Sequence, residues 1–350
     1  MSQSSARLLF IPVSGPRGMG EYARCLAIAT ALAQRTPGLE MRFVLSRDAP
    51  YAADTPFATA LLPASATFHP REVRALIEEF RPHIVVFDNA GRTSQLRAAH
   101  VSGACVVYVS SRRRQRRRAF RLRWMPLIDE HWIAYPEFIA GAPTLLERAK
   151  LHLLGRPRIR FIDTLLPPAD PARAAQSLQR FCLAAEQYVL IVPGGGSGHP
   201  GAEDAPAIVA AAARAIARRM PVLLVGAVGG VSEVTGLRVV PRLPLVDLCE
   251  LIRAARLVVS NGGDTLLQAL ACGRPCVAMP IAHDQAARIE RCVQAGLAVG
   301  VPLETQAIES AVLRVLDDGA GNATVPARQA VRNCLEQAVS ALEDLLARAP

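Results

Sequence analysis

The 350-residue chain is 51% apolar and 20% charged, enough core for two domains of ordinary size and too hydrophobic for a disordered protein. Eight cysteines, at 25, 105, 182, 249, 272, 276, 292 and 334, include no C-x-x-C pair, so neither a zinc site nor a dense disulfide framework is signalled and reduced, cytosolic thiols are expected. The net charge of +10 is uneven, its excess concentrated in one run of arginines in the first half.

Leu8 to Val13 is too short an apolar run for a secretory core, and no later stretch approaches the roughly 20 apolar residues of a membrane-spanning helix. A cytoplasmic protein is expected, soluble or peripheral at the inner face of the plasma membrane. Arg7 to Val13, Met41 to Ser46, Ile84 to Phe87, Ala104 to Ser110 and His131 to Ala134 predict the strands of a first half. Tyr22, Cys25, Leu26, Ala29, Leu32 and Ala33 predict the buried stripe of a helix after the first of them. The turn between them, Ser14-Gly15-Pro16-Arg17-Gly18-Met19-Gly20-Glu21, is glycine-rich. Glu21 has two readings. It is a general base for an attacking hydroxyl, its pKa raised by partial burial, or an acidic residue that stabilises the start of its helix. Asp88-Asn89 follows a strand at the carboxyl end, where parallel sheets bind ligands. Asp88 there assists a base, holds an acceptor hydroxyl or caps its loop.

Arg112, Arg113, Arg114, Arg116, Arg117 and Arg118, extended by Arg121 and Arg123, make the basic run. One reading is a solvated face. The other is an anion-binding surface for phospholipid headgroups or a polyprenyl diphosphate, and the adjoining Phe120, Leu122, Trp124 and Met125 suit a membrane interface. Nucleic acid is the weaker partner, because no helix-turn-helix, zinc-finger or RNP-like pattern accompanies the arginines.

Asp163 to Ala175, with three prolines, predicts a linker between a domain of residues 1–165 and one of residues 177–326. In the second domain Tyr188 to Val192, Pro221 to Val225, Leu237 to Val240, Arg256 to Val259, Cys276 to Met279 and Ala298 to Val301 predict strands. Ile208, Val209, Ala212 and Ile216 line one face of a helix between Pro206 and Pro221. This alternation predicts an α/β fold of parallel sheets with helices on both faces. A last helix, residues 327–350, carries Val331, Leu335, Ala338, Leu342 and Leu345 on one side.

Two turns of the second domain suit a diphosphate. After Val192 come Pro193, Gly194, Gly195, Gly196, Ser197 and Gly198, a loop able to expose consecutive N–H donors. After Val259 come Ser260, Asn261, Gly262 and Gly263, then Asp264 and Thr265 open a helix whose first turn has N–H groups without partners. Pro280-Ile281-Ala282-His283-Asp284-Gln285 ends the next strand, so two neighbouring strand ends are expected to face one ligand. His199 and His283 are possible hydrogen-bond donors to phosphate or sugar, although a lone loop histidine is more often incidental.

Asn261-Gly262-Gly263, Gln268 five residues before Gly273-x-Pro275, and Asp284-Gln285 resemble the donor-binding segment of GT-B glycosyltransferases. The likeness is to the UDP-sugar group, including the family 28-like N-acetylglucosaminyltransferase of peptidoglycan precursor synthesis. It implies two Rossmann-like domains with parallel sheets facing a central cleft, glycines on the diphosphate, the residue at Gln268 on the ribose and Asp284-Gln285 on sugar hydroxyls. Gln268 stands where Glu is usual, and an amide can still bond a ribose hydroxyl. Pro241-Arg242-Leu243-Pro244 occupies the segment that reads uracil through its backbone. In the first domain Gly18-x-Gly20 resembles the acceptor-side loop, with Glu21 in place of the usual His. Followed by Arg24-Cys25-Leu26, it is more weakly similar to UDP-sugar hydrolases of pseudaminic acid synthesis. The resemblance implies an inverting, metal-independent transfer, without a cofactor, to a lipid-linked or cell-envelope acceptor. A hydrolase or epimerase on the same scaffold, or a non-catalytic nucleotide-sugar-binding protein, are the rival readings.

Overall fold

Apolar runs alternating with amphipathic helices fold into two all-parallel sheets, one in each of two units. The computed structural model describes residues 6–16, 19–194, 203–226, 234–318 and 331–348. The first unit comprises Met1–Leu165 and Cys334–Pro350, the second Leu166–Asn333.

In the first unit the chain runs β1 (Arg7–Pro12), α1 (Gly20–Arg35), β2 (Glu40–Ser46), β3 (Ala58–Leu62), α2 (Pro70–Phe80), β4 (Ile84–Asp88) and α3 (Thr93–Val101). It continues through β5 (Cys105–Ser110), α4 (Arg113–Ala119), β6 (Glu130–Ile133), α5 (Glu137–Ala140), α6 (Leu145–Leu154) and β7 (Arg158–Phe161). The sheet order is β3-β2-β1-β4-β5-β6-β7. The order reverses between β1 and β4, and a crevice opens at such a switch point beyond the carboxyl ends of the two strands. The five expected strands are present. β3 and β7 are additional and lie at the two edges, where Ala-Thr-Ala-Leu-Leu and Arg-Ile-Arg-Phe are half-exposed and lack the long apolar run of a central strand.

The second unit runs α7 (Pro171–Phe181), β8 (Val189–Val192), α8 (Ala205–Ile216), β9 (Val222–Val225), β10 (Leu237–Val240), α9 (Leu245–Ala254) and β11 (Leu257–Asn261). It continues through α10 (Asp264–Ala271), β12 (Cys276–Met279), α11 (Gln285–Gln294), β13 (Val299–Gly300) and α12 (Thr305–Asp317). Its sheet order, β10-β9-β8-β11-β12-β13, reverses between β8 and β11. Val189, Ile191, Val222, Leu224, Val259 and Val277 form its core with Val209, Ala212 and Ile216 of α8. Pro171 opens α7 within the segment expected to be linker, where a missing N–H costs a helix nothing.

The chain re-enters the first unit for α13 (Leu335–Leu346). Its Glu336 and Glu343 accept from Arg35 of α1 at 2.5 and 2.9 Å. Covered by the sheet and by α13, α1 buries Ala27, Ile28 and Ala31 beyond the expected stripe, while Leu26 is half-buried and Ala33 is exposed. Among the described residues no helix is long and apolar enough to cross a membrane.

His131 on β6 is fully buried, sharing a 2.8 Å hydrogen bond with Ser110 Oγ and packing against Phe120 and Tyr108. Burial, and secondarily the charge of Arg116, push its pKa down to about 3. The unfolded chain binds a proton near pH 6.5 that the folded chain refuses, so this histidine removes stability as pH falls below about 6.5, by up to ~1.4 kcal/mol per pH unit. Urea denaturation between about pH 7 and about pH 5 should show this acid loss, and His131→Phe should flatten it. An unchanged slope in the variant would assign the loss to other groups.

Candidate functional site

In the second unit, β8 and β11 are neighbours in register, so the residues that follow them come out side by side. Gly194 holds φ +104°, a conformation that favours glycine, and a Cβ placed on it would collide with the Asn261 side-chain amide. Asn261 is buried, and its Oδ1 accepts the Gly263 N–H at 2.9 Å, closing the turn on itself. A Cβ on Gly263 would lie 2.7 Å from that same oxygen. Gly262 is packed from the other side: a Cβ there would come within 2.9 Å of Gln285 Cβ, the Gln285 carbonyl oxygen and Ile289 Cγ1. Gly226, after β9, passes close enough that its Cβ would touch the Gly194 carbonyl oxygen at 3.7 Å. Three strand ends thus bring backbone together, and the glycine turn opens directly into α10, with Gly263 at the cap position and Asp264 in the first turn.

Arg288 of α11, which sequence reasoning did not single out, completes this corner. It is buried, donates through Nη1 to the Gly262 carbonyl and lies 3.3 Å from Asp284 Oδ2. A guanidinium under the turn adds positive charge at the N-terminal end of α10. Gln285 is buried, and its Oε1 accepts the N–H groups of Ile281 at 2.8 Å and Ala282 at 3.1 Å. That oxygen is therefore committed to the loop, which alters the expected hydroxyl-binding role of Gln285. Asp284 and His283 are exposed, Asp264 and Thr265 are partly exposed, and Gln268 and Leu243 are buried. Gly195, Gly196, Ser197 and His199 lie outside the described residues, as do Arg17 and Gly18 of the first unit.

In the first unit, consecutive residues at the end of β4 diverge. Asp88 is fully buried, and both its carboxylate oxygens are held by Arg24, at 2.7 Å from Nε and 2.9 Å from Nη2. The Cys25 thiol lies 3.9 Å from Asp88 Oδ2, and burial first, then that carboxylate, push its pKa well up. Asp88 is not presented to an acceptor: it braces α1 against β4, which corrects the expectation of a catalytic role. Asn89 turns the other way. Its backbone is left-handed at φ 51°, which Asn tolerates, and its Nδ2 donates to Glu21 Oε1 at 2.9 Å and Ser111 Oγ at 2.5 Å. Its Oδ1 accepts the Ser111 N–H at 2.9 Å. Arg112 approaches Glu21 Oε1 at 3.7 Å, and Gly20 begins α1 one residue before. Tyr51, stacked on Tyr22 at 4.1 Å, has its pKa pushed up to about 12 by burial and then by the charge of Glu21. Glu21 is thus a fixed, partly buried carboxylate at the switch point between β1 and β4.

The arginine run does not act as one face. Arg112 serves Glu21. Arg116 is withdrawn from any membrane-contact role: it donates to the Ala140 and Gly141 carbonyls at 2.7 Å and to Ala142 at 3.0 Å, and pairs with Glu147 at 3.2 Å. Arg118 is partly buried, its pKa lowered by desolvation and then by the neighbouring charge of Arg114. Arg113, Arg114 and Arg117 are exposed.

No family model matches the chain, and no curated protein matches it in sequence. Solved structures do. Spinosyn forosaminyltransferase SpnP superposes with a TM-score of 0.69 at 16% identity, over 98% of this chain and 100% of that one. A UDP-glucosyltransferase from Polygonum tinctorium capable of glucosylating indoxyl gives 0.68 at 13%, over 99% and 100%. A putative UDP-N-acetylglucosamine 2-epimerase from Listeria monocytogenes gives 0.64 at 12%, over 99% of each chain. The fold is therefore the α/β GT-B architecture of two Rossmann-like units. The comparisons lend no support to the likeness to hydrolases of pseudaminic acid synthesis, and Arg24 and Cys25, which carried it, are occupied with Asp88.

The close packing around the glycine turn has a measurable cost. Gly262→Ala should destabilise the protein by about 1–3 kcal/mol through overpacking. Gly15→Ala, where no atom lies within 4 Å of the new Cβ, should stay within about 0.5 kcal/mol of the parent. Urea denaturation of the two variants makes the comparison, and equal losses would mean that the turn at 262 relaxes freely.

Proposed function

We propose that this protein is an inverting glycosyltransferase that takes a sugar, N-acetylglucosamine or a relative, from a UDP-sugar and passes it to a lipid-linked or cell-envelope acceptor. The observation that carries the reading is the convergence of Gly194 with the Asn261–Gly263 turn at the start of α10, with Arg288 beneath it. Backbone N–H groups and a buried guanidinium at one strand-end corner suit a diphosphate. On this reading Gln268 bonds the ribose, Asp284 and the remaining amide of Gln285 bond sugar hydroxyls, and the backbone near Leu243 reads the base. The acceptor hydroxyl gives its proton to Glu21 as its oxygen attacks the anomeric carbon. The bond from that carbon to the diphosphate breaks, and the leaving group takes the electron pair against the N–H end of α10. Asn89 holds one oxygen of Glu21, leaving the carboxylate fixed for the transfer. No metal is assigned a part in this scheme.

A second reading has its own support. The match to a putative UDP-N-acetylglucosamine 2-epimerase means that the fold admits chemistry without an acceptor. Glu in place of the usual His at position 21 and Gln in place of Glu at 268 support instead the remaining rival, a non-catalytic nucleotide-sugar-binding protein.

Calorimetry with UDP and UDP-N-acetylglucosamine tests the donor site. Micromolar binding is expected, abolished by Gly263→Trp, and no heat with any nucleotide would overturn the reading. Glu21→Gln should lower turnover by about 100-fold or more while sparing UDP affinity. Release of UDP at full rate without any acceptor would favour hydrolysis over transfer, and isomerisation of the UDP-sugar without net UDP release would favour epimerisation.

A further inference from the structure

Helix α6 has none of its residues fully buried. At about 3.6 residues per turn, Leu145, Ala149, Leu153 and Leu146 fill one arc of about 100°. All four face solvent, the leucines at 145, 153 and 146 being 77%, 78% and 66% exposed. Glu147, Leu151 and Leu154 are more enclosed. This exposure does not come from a loose helix. Thr144 Oγ1 accepts the Glu147 N–H at 3.2 Å, Glu147 returns the bond to the Thr144 N–H at 2.8 Å, and Gly155 ends the helix in a left-handed cap. Arg116 of α4 grips Glu147, and one turn on Lys150 Nζ donates to the carbonyl of Phe120, the residue that ends α4, at 3.2 Å. An apolar stripe presented by a pinned helix, with no partner among the described residues, marks an interaction surface.

Charge identifies the partner. Arg148 and His152 border the stripe on α6 itself, and both are exposed. On the tethered α4, Arg113 lies one turn from Arg116, with Arg114 and Arg117 beside it in solvent. Leu122, 56% exposed between the exposed Arg121 and Arg123, extends the same mixture. We propose that α6 and α4 dock the first unit on an anionic lipid surface, leucines entering the acyl boundary and arginines meeting headgroup phosphates. A second copy of the chain is the poorer occupant, because self-pairing of this face sets two arginine-rich helices against each other. The inference adds a membrane partner to the proposed transferase but is independent of the donor corner, so its failure would leave nucleotide binding intact.

Flotation of the full chain with vesicles of phosphatidylcholine, with and without phosphatidylglycerol, at low and high salt, provides the test. The parent should bind the anionic vesicles alone, and salt should weaken that binding. Replacing Leu145, Leu146 and Leu153 together by Ser should lower partitioning by about 30-fold. Replacing Arg113, Arg114 and Arg117 by Gln should lower it by about fivefold per charge. Both variants should bind UDP as the parent does. Leu146→Trp adds an exposed indole whose emission should shift to the blue on docking. No binding to anionic vesicles overturns the proposal, as does a leucine variant that binds like the parent, or vesicle binding without a blue shift. A parent dimer in solution that the leucine variant converts to monomer would assign the stripe to a second copy instead.

Discussion

Asn261 does two jobs in the space of one side chain, and the donor corner depends on both. Its Oδ1 ties down the N–H of Gly263, which sets the direction in which α10 leaves β11. Its amide nitrogen fills the space that any side chain at residue 194 would need, so the strand end of β8 approaches as bare backbone. One amide thus holds two turns at a shared spacing. Arg288 extends the logic from behind, since its hydrogen bond to the Gly262 carbonyl fixes the other side of the same turn against α11.

The first unit arranges charge by separating neighbours. Asp88 and Asn89 are adjacent in sequence, yet one faces inward to Arg24 and the other reaches Glu21. A fully buried carboxylate needs a geometrically good partner, and the two-point contact with Arg24 supplies it. Removing Arg24 would take the two-point partner from a buried charge, whereas removing Asn89 would release Glu21 and Ser111. Stability and positioning are thus assigned to different residues of one strand end.

What could be read in the sequence follows from what burial imprints. Central strands such as Val189–Val192 and, up to its terminal aspartate, Ile84–Asp88 are buried on both faces and read as unbroken apolar runs. Edge strands β3 and β7 pair on one side only, and their mixed composition carries no such signal. The glycine turn at 262 was legible because close approach excludes every other residue there. Arg288 was not, since an arginine four residues after Asp284 looks like an ordinary exposed helix pair. Asp88 was misassigned for a related reason: position at a strand end announces a site, but only the partner shows which way the side chain turns.

The same limit applies to charge runs and explains why the arginines of residues 112–118 serve different ends. A helix of seven residues, Arg113–Ala119, cannot point its five arginines in one direction, so its periodicity distributes them. Arg116 falls on the side that meets α5 and α6, where three carbonyls and Glu147 absorb its donors. Arg112 precedes the helix and lies near Glu21, while Arg113, Arg114 and Arg117 stay in water. The consequence for α6 is physical rather than incidental. The arginine that is lost from the basic surface helps, together with Lys150, to fasten the leucine-bearing helix beside the arginines that remain, so the apolar stripe and the exposed cations are held near each other.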